Sequence, residues 1–471
     1  MSRLVVVSNR VAVPEARGAA GAQGGLAGAL SAALRKHGGI WFGWSGQEID
    51  TFSGDIQVRR SEDGVTTAII DLEPQDVEEY YNGYANSSLW PLFHYRIDLT
   101  EYEREFGRGY ERVNERFAAS VLPLVEPDDM VWVHDYHLIP LGERLRSRGL
   151  KNRIGFFLHT PWPPARLFVS LPFHERLVMS MLHYDLIGFQ NDIWLESFMH
   201  YCRRELGAEV DDATGAVTLD GRTSIARVFP IGIDYDFFMS KGDTGEARQA
   251  EQRLRASTRH RTAMLGVDRL DYSKGLPERL DGISRFFDDY PDRVRELVYI
   301  QIAPPSREDI KSYQVIRSTL EQKTGQINGA RSEVDLVPIR YVNRGYSQEE
   351  LFGFYRAAGI AMVTPLRDGM NLVAKEYLAA QDPEDPGVLI LSRFAGAAAQ
   401  LPDALLVNPH SPDDLAFNIR LALDMPLEER KARWEKLIVT VREDNVQRWT
   451  DNFVDCLQAV HRADEGASVS S

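Results

Sequence analysis

The feature that most constrains this chain is an alternation: short β-branched runs are separated by amphipathic stretches over most of its length. Such an alternation marks parallel sheets whose crossover helices lie on both faces, so the fold class is α/β. In the first half the pattern predicts strands at residues 4–7, 131–134, 154–159, 185–189 and 227–230, with helices such as 194–206 between them. A second series runs through 262–267, 297–302, 336–341, 360–363, 388–391 and 405–407. Two doubly wound domains are expected, 1–236 and 237–444. Residues 445–471 follow as a helix expected to pack back on the first domain, with a polar tail. The polar stretch 236–261 reads as a linker region with a helix hung on it.

Composition supports two large cores and excludes several function classes. With 471 residues, 44% hydrophobic and 26% charged, the chain has apolar material for two or three domains, which excludes a small module or a disordered chain. Lys+Arg 54 against Asp+Glu 69 leaves a net charge of −15, which repels phosphate at long range and argues against a nucleic-acid partner. Any anionic ligand must therefore meet a local cluster of cations. Two cysteines, Cys202 and Cys456, cannot form a disulfide framework, and a reducing cytoplasm is expected. The run 4–7 is too short and too polar in its flanks for a signal peptide, and no stretch approaches the ~18 apolar residues of a membrane span. A soluble protein without a membrane partner is expected.

Three segments sit where chemistry is usually found. Gly18-Ala-Ala-Gly-Ala-Gln-Gly-Gly-Leu-Ala-Gly-Ala-Leu30 follows the first strand, where its amides can approach a phosphate or a sugar; the alternative is a surface loop. Asp268-Arg-Leu-Asp-Tyr-Ser-Lys-Gly275 joins a strand end to a helix start and carries two cations suited to a pyrophosphate, Arg269 and Lys274. Its alternative is a surface ion pair between Arg269 and Asp268 or Asp271. Asp368-Gly-Met-Asn-Leu-Val-Ala-Lys-Glu376 repeats that geometry, so that Asp368 and Glu376 can bind different parts of one extended ligand. Here the alternative is a helix cap for Asp368 and a solvent-facing Glu376. His134-Asp-Tyr-His137 and His159-Thr-Pro-Trp-Pro-Pro164 fall at strand ends without metal-ligand spacing. Asp135 and His159 suit a polyol better, with Trp41, Trp44, Trp90 or Trp162 either stacking on sugar faces or packing in the core.

Taken in order, Leu4-Val-Val-Val-Ser-Asn-Arg10, Gly24-Gly25-Leu26, Trp41-Phe-Gly-Trp-Ser-Gly46, Glu79-Tyr-Tyr-Asn82, Leu89-Trp-Pro91, His134-Asp-Tyr-His-Leu138, Arg269-Leu-Asp-Tyr-Ser-Lys-Gly275, Gln301-Ile-Ala-Pro304 with Arg307, and Thr364-Pro-Leu-Arg-Asp-Gly-Met-Asn-Leu-Val-Ala-Lys-Glu-Tyr377 resemble the trehalose-6-phosphate synthase family. These are retaining glycosyltransferases of family 20 and of the GT-B type, two doubly wound Rossmann-like domains facing across a cleft. The resemblance implies an acceptor-binding first domain holding glucose 6-phosphate and a second domain holding a nucleotide-glucose, most often UDP-glucose. It assigns the donor diphosphate to Arg269 and Lys274, the ribose to Glu376, and the phosphates to the helix-start amides of Leu372, Val373, Ala374, Lys375 and Glu376. Asp368, His159 and Gly25 are to line the transferred glucose, and Tyr346 to lie near the base. Arg10 and Arg307 are to hold the acceptor phosphate, with Tyr81, Trp90 and Asp135 orienting the acceptor sugar. Arg269, Lys274, His159 and Asp368 form the implied catalytic group.

The physics of the residues agrees, because a diphosphate and a monophosphate need two separate groups of cations. Fixed cations and helix-start amides stabilise the charge growing on a leaving diphosphate, so neither metal nor cofactor is expected. The rivals are glucosylglycerol-phosphate synthase and a non-catalytic sugar-phosphate sensor. A homo-oligomer is compatible with the family, and no fused phosphatase is expected, since no Asp-x-Asp-x-Thr/Val segment follows the second series.

Overall fold

The computed structural model describes residues 3–11, 30, 34, 38–60, 65–305 and 311–460. These fall into two units: one takes the chain up to Ile231 and again from Gln447, the other holds Gly232–Val446. The divisions lie at Ile231/Gly232 and Val446/Gln447, within a few residues of the expected 236 and 444. The reason is local. Val446 N–H donates to Ile233 O at 3.0 Å, and a Cβ on Gly232 would stand 2.0 Å from Asp444 O, so the entering and leaving segments run side by side only because Gly232 lacks one.

In the first unit the strands are β1 (Leu4–Arg10), β2 (Gly39–Glu48), β3 (Gln57–Arg60), β4 (Thr66–Leu72), β5 (Met130–His134), β6 (Ile154–Phe157), β7 (Leu186–Phe189), β8 (Glu209–Asp211), β9 (Ala216–Leu219) and β10 (Arg222–Val228). Their order is β3-β4-β2-β1-β5-β6-β7-β10-β9-β8, parallel from β4 through β10, with β3 antiparallel at one edge and β9-β8 at the other. The strand order reverses direction between β1 and β5. Trp41 and Trp44 belong to β2 and are core residues, each 3% exposed; Trp41 Nε1–H donates to Ser8 Oγ at 2.7 Å. Trp162 is fully buried as well. None of the three is placed to stack on a sugar. The helix Val446–Ala459 covers this unit's sheet through Trp449 and Phe453, whose rings lie 4.8 and 4.4 Å from that of Trp132.

The second unit contains β11 (Thr262–Val267), β12 (Leu297–Ile302), β13 (Ile339–Val342), β14 (Ile360–Val363), β15 (Val388–Ser392) and β16 (Leu405–Val407). All are parallel, in the order β13-β12-β11-β14-β15-β16, with the reversal between β11 and β14. Here the alternation predicts the strands closely. β13 starts three residues late, because Pro338 cannot donate to the ladder. The stretch 236–261 is not a linker: it forms the helices Tyr235–Gly242 and Gly245–Thr258 of this unit, tied to the helix Gln348–Ala357 by Lys241 Nζ to Glu349 at 2.9 Å. Its charges mark a helix that pairs with another helix. Among the described residues no helix is long and apolar enough to cross a membrane.

Candidate active site

Open parallel sheets bind ligands beyond the carboxyl ends of the strands where their order reverses, because the loops there diverge and leave a crevice. In the second unit that point lies beyond β11 and β14. The loop after β11 ends in a 3₁₀ turn, Tyr272–Lys274, capped by Asp271, whose Oδ1 accepts from Ser273 N at 2.9 Å. The loop after β14 carries Asp368. Lys274 Nζ and Asp368 Oδ2 meet at 2.5 Å, with side chains 12% and 14% exposed, so the two loops are joined by an ion pair. Arg269 stands apart from it, exposed and without an ion pair among the described residues. The surface pair with Asp268 or Asp271 does not form: Asp268 is taken by Arg279 and Asp271 by Ser273 and Tyr313.

The helix Leu372–Ala380 starts directly after this turn. Its N-cap residue, Asn371, has a left-handed backbone (φ 73°) and makes no cap bond; instead its Nδ2 donates to Asp368 Oδ2 at 3.0 Å. The first amides of that helix are left without a side-chain cap, an arrangement that receives anions. Asp368 is therefore not a cap. Glu376 is not solvent-facing either: it is half-buried, its Oε2 accepts from Tyr355 Oη at 3.2 Å, and burial raises its carboxyl above the usual range, with the Tyr355 bond opposing.

The turn is held from behind. Gly396 N–H donates to Asp368 O at 3.1 Å and Ala397 N–H to Met370 O at 2.9 Å. Gly396 approaches so closely that a Cβ would lie 2.0 Å from Gly369 O. Lys375 is wholly buried, and its Nζ donates to Gln400 Oε1 at 2.7 Å; burial pulls its ammonium down to about 7 against the pull of Asp444. Its side chain thus supports the turn from inside the domain. On the β11 side the fully buried Arg279 does similar work, with Nη1 2.6 Å from Asp268 Oδ2 and 2.9 Å from Gln301 Oε1, and Nε 2.9 Å from Thr364 Oγ1. Tyr346 is half-buried, edge-on to Phe354 at 5.0 Å, with the Arg344 guanidinium 4.6 Å from its ring centre.

In the first unit the corresponding reversal lies beyond β1 and β5. Arg10 ends β1, exposed, its guanidinium 5.2 Å from the Trp44 ring centre. Tyr81 lies on a π-helix, Val77–Leu89, stacked on His137 with ring centres 6.0 Å apart. Trp90 is only 7% exposed, packed against His94 and Tyr136. Asp135 follows β5 with a positive φ of 74°, a strained conformation that aims its Oδ1 at the His159 N–H, 3.2 Å away. Of the expected residues, Gly25 and Arg307 lie outside the described residues, as does most of the glycine-rich segment. Sequence reasoning missed Tyr355, Arg279, Gln400 and the side chain of Lys375, which act on residues at a distance along the chain and leave no local signal, and it missed the role of Asn371, whose bond to Asp368 three residues earlier depends on a left-handed backbone that the sequence does not announce.

The profile of glycosyltransferase family 20 matches residues 2–459. The chain is 47% identical over 462 residues to the trehalose-6-phosphate synthase of Sinorhizobium fredii (strain NBRC 101917 / NGR234), covering 98% of this chain and 99% of that one. A crystal structure of an alpha,alpha-trehalose-phosphate synthase (UDP-forming) from Burkholderia xenovorans in complex with glucose-6-phosphate is 45% identical with a TM-score of 0.93, covering 97% and 100%. A structure from E. coli bound with UDP-2-fluoro glucose is 40% identical with a TM-score of 0.92, covering 98% and 100%.

Replacing Arg279 by Met leaves Asp268 buried without its ion partner. The change should cost about 3–5 kcal/mol, read as a lowered denaturant midpoint. An unchanged midpoint would show that the network does not hold the β11 loop.

Proposed function

The chain belongs to glycosyltransferase family 20, of the GT-B fold, and from that membership we propose that it transfers glucose from UDP-glucose to glucose 6-phosphate. The products are α,α-trehalose 6-phosphate and UDP, with the configuration at the donor anomeric carbon retained. The observation that carries this reading is the meeting of Lys274 and Asp368 at the β11/β14 reversal, beside a helix start with no side-chain cap. That arrangement brings a cation, a carboxylate and a helix start without an N-cap side-chain bond together beyond β11 and β14, a set that suits a sugar joined to a diphosphate.

In this proposal Arg269 and Lys274 hold the diphosphate together with the amides of Leu372, Val373, Ala374, Lys375 and Glu376. As the bond between the anomeric carbon and the phosphate oxygen breaks, negative charge accumulates on the diphosphate, and these fixed donors stabilise it without reorganising. Glu376 accepts from the ribose hydroxyls and Tyr346 flanks the base. Asp368, His159 and Gly25 contact the transferred glucose. Arg10 and Arg307 neutralise the phosphate of the acceptor, and Tyr81, Trp90 and Asp135 orient its ring. The acceptor hydroxyl attacks from the face the phosphate leaves, and the departing phosphate oxygen takes its proton, a course adopted from the family. The free thiols Cys202 and Cys456 accord with a reaction in the cytoplasm.

The test is to incubate the protein with UDP-, GDP- or ADP-glucose and either glucose 6-phosphate or glycerol 3-phosphate, and to identify products by NMR. Trehalose 6-phosphate formed with retention is the expected outcome. A glucosylglycerol phosphate, or no product despite ligand binding, would overturn the proposal. Lys274→Ala should lower kcat/KM by about 10²-fold or more, since one lost transition-state donor is worth roughly 3 kcal/mol. Wild-type efficiency would remove Lys274 from the reaction.

A further inference from the structure

β5 and β6 are neighbours in register, with His134 opposite Phe157, and this brings the His134 ring to the ring of His159 just beyond β6. His134 Nδ1 and His159 Nε2 are 3.1 Å apart, hydrogen-bond distance. His134 is fully buried, and its Nε2 has no partner among the described residues. Around it stand Trp132 at 4.5 Å, Trp449 at 6.2 Å and Phe157 at 6.5 Å between ring centres. The indole Nε1–H groups of Trp132 and Trp449 are themselves buried without acceptors among the described residues. Burial holds both imidazoles neutral: it pushes His134 well below the ordinary histidine range, with His159 adding to the effect, and takes His159 down to about 3.

A neutral imidazole carries one N–H, so two arrangements are open. In one, His134 accepts from His159 Nε2–H, and the His134 proton sits on Nε2, a buried donor stranded among aromatic rings beside two other stranded donors. In the other, His134 Nδ1–H donates to His159 Nε2, and His134 Nε2 presents a lone pair to surroundings that already hold two unpaired N–H groups. An orphaned buried donor is the costlier and rarer defect, so the second arrangement prevails. The consequence falls on His159. With Nε2 occupied as an acceptor, its own proton sits on Nδ1, which bonds to nothing among the described residues, on a ring that is only half-buried.

We propose that His134 is a positioning residue that fixes the tautomer of His159, so that His159 offers an Nδ1–H donor to a hydroxyl oxygen of the transferred sugar. The last step rests on the glucosyltransferase reading above; the tautomer itself does not. A histidine's free nitrogen takes its character from the bond the other nitrogen makes, and here that bond comes from a buried neighbour with one satisfactory protonation state.

The experiment is a long-range ¹H–¹⁵N correlation spectrum of the full chain labelled at histidine, with His159 assigned from a His159→Gln sample. Wild-type protein should show His159 protonated at Nδ1. His134→Asn, whose amide can replace the donor, should keep that tautomer, and His134→Phe should move the proton wholly or partly to Nε2. With it, kcat should fall about tenfold or more in His134→Phe while KM for the acceptor changes less than threefold, and His134→Asn should recover most of the loss. A wild-type His159 protonated at Nε2 would overturn the proposal even if His134→Phe failed to fold. A tautomer or kcat unmoved in a folded His134→Phe would overturn it too. An Nδ1–H signal in a protein that transfers no glucose would refute the function and leave the tautomer assignment standing.

Discussion

The ion pair between Lys274 and Asp368 is the contact on which the crevice beyond β11 and β14 depends. The two residues are far apart in sequence, and they meet because the strand order reverses between β11 and β14, so that loops departing in opposite directions share one crevice. Both side chains are mostly buried, which strengthens the attraction and makes an unpaired member expensive. The pair also brings together a group suited to phosphate and a group suited to sugar hydroxyls. The rest of the second unit reads as support for that placement: Arg279 fixes the β11 loop, while Gly396, Ala397 and Gln400 hold the β14 turn and its helix.

The first unit applies the same topological device with different chemistry. Beyond β1 and β5 stand an exposed guanidinium, a strained aspartate and a histidine pair. The side chains behind them are aromatic, and the helix Val446–Ala459 adds Trp449 to the wall around His134. That helix, the last described element of the chain, thus helps to create the dry surroundings in which a single imidazole proton position is preferred.

Much of this was legible in the sequence, and the exceptions have physical causes. Most strands of the second unit were readable because they are nearly continuous, largely buried apolar runs, although β13 carries Arg340 and is only partly buried. β2 was not, since Trp41-Phe-Gly-Trp-Ser-Gly46 interrupts its aromatics with glycine; for its tryptophans the sequence left sugar stacking and core packing both open, and both are core. β3 and β8 are polar edge strands without a run to detect, β9 between β10 and β8 is only four residues long, and the π-helix carrying Tyr81 has no sequence signature. At the site, Arg269, Lys274, Asp368 and Glu376 stood out because they flank strand ends and a helix start. Tyr355, Arg279 and Gln400 did not, because each works through a partner that only the folded chain brings near, and Asn371 did not because its bond to Asp368 needs a left-handed backbone.

The central claim is that positive charge and an uncapped helix start at the β11/β14 reversal are there to receive a diphosphate. Calorimetric titration of the protein with UDP and, separately, with uridine tests this most directly. The account predicts that UDP binds and that uridine, which lacks both phosphates, binds at least about a hundredfold more weakly, a difference of roughly 2.7 kcal/mol. Equal affinities for the two would place the binding energy in the base and ribose and would contradict the account.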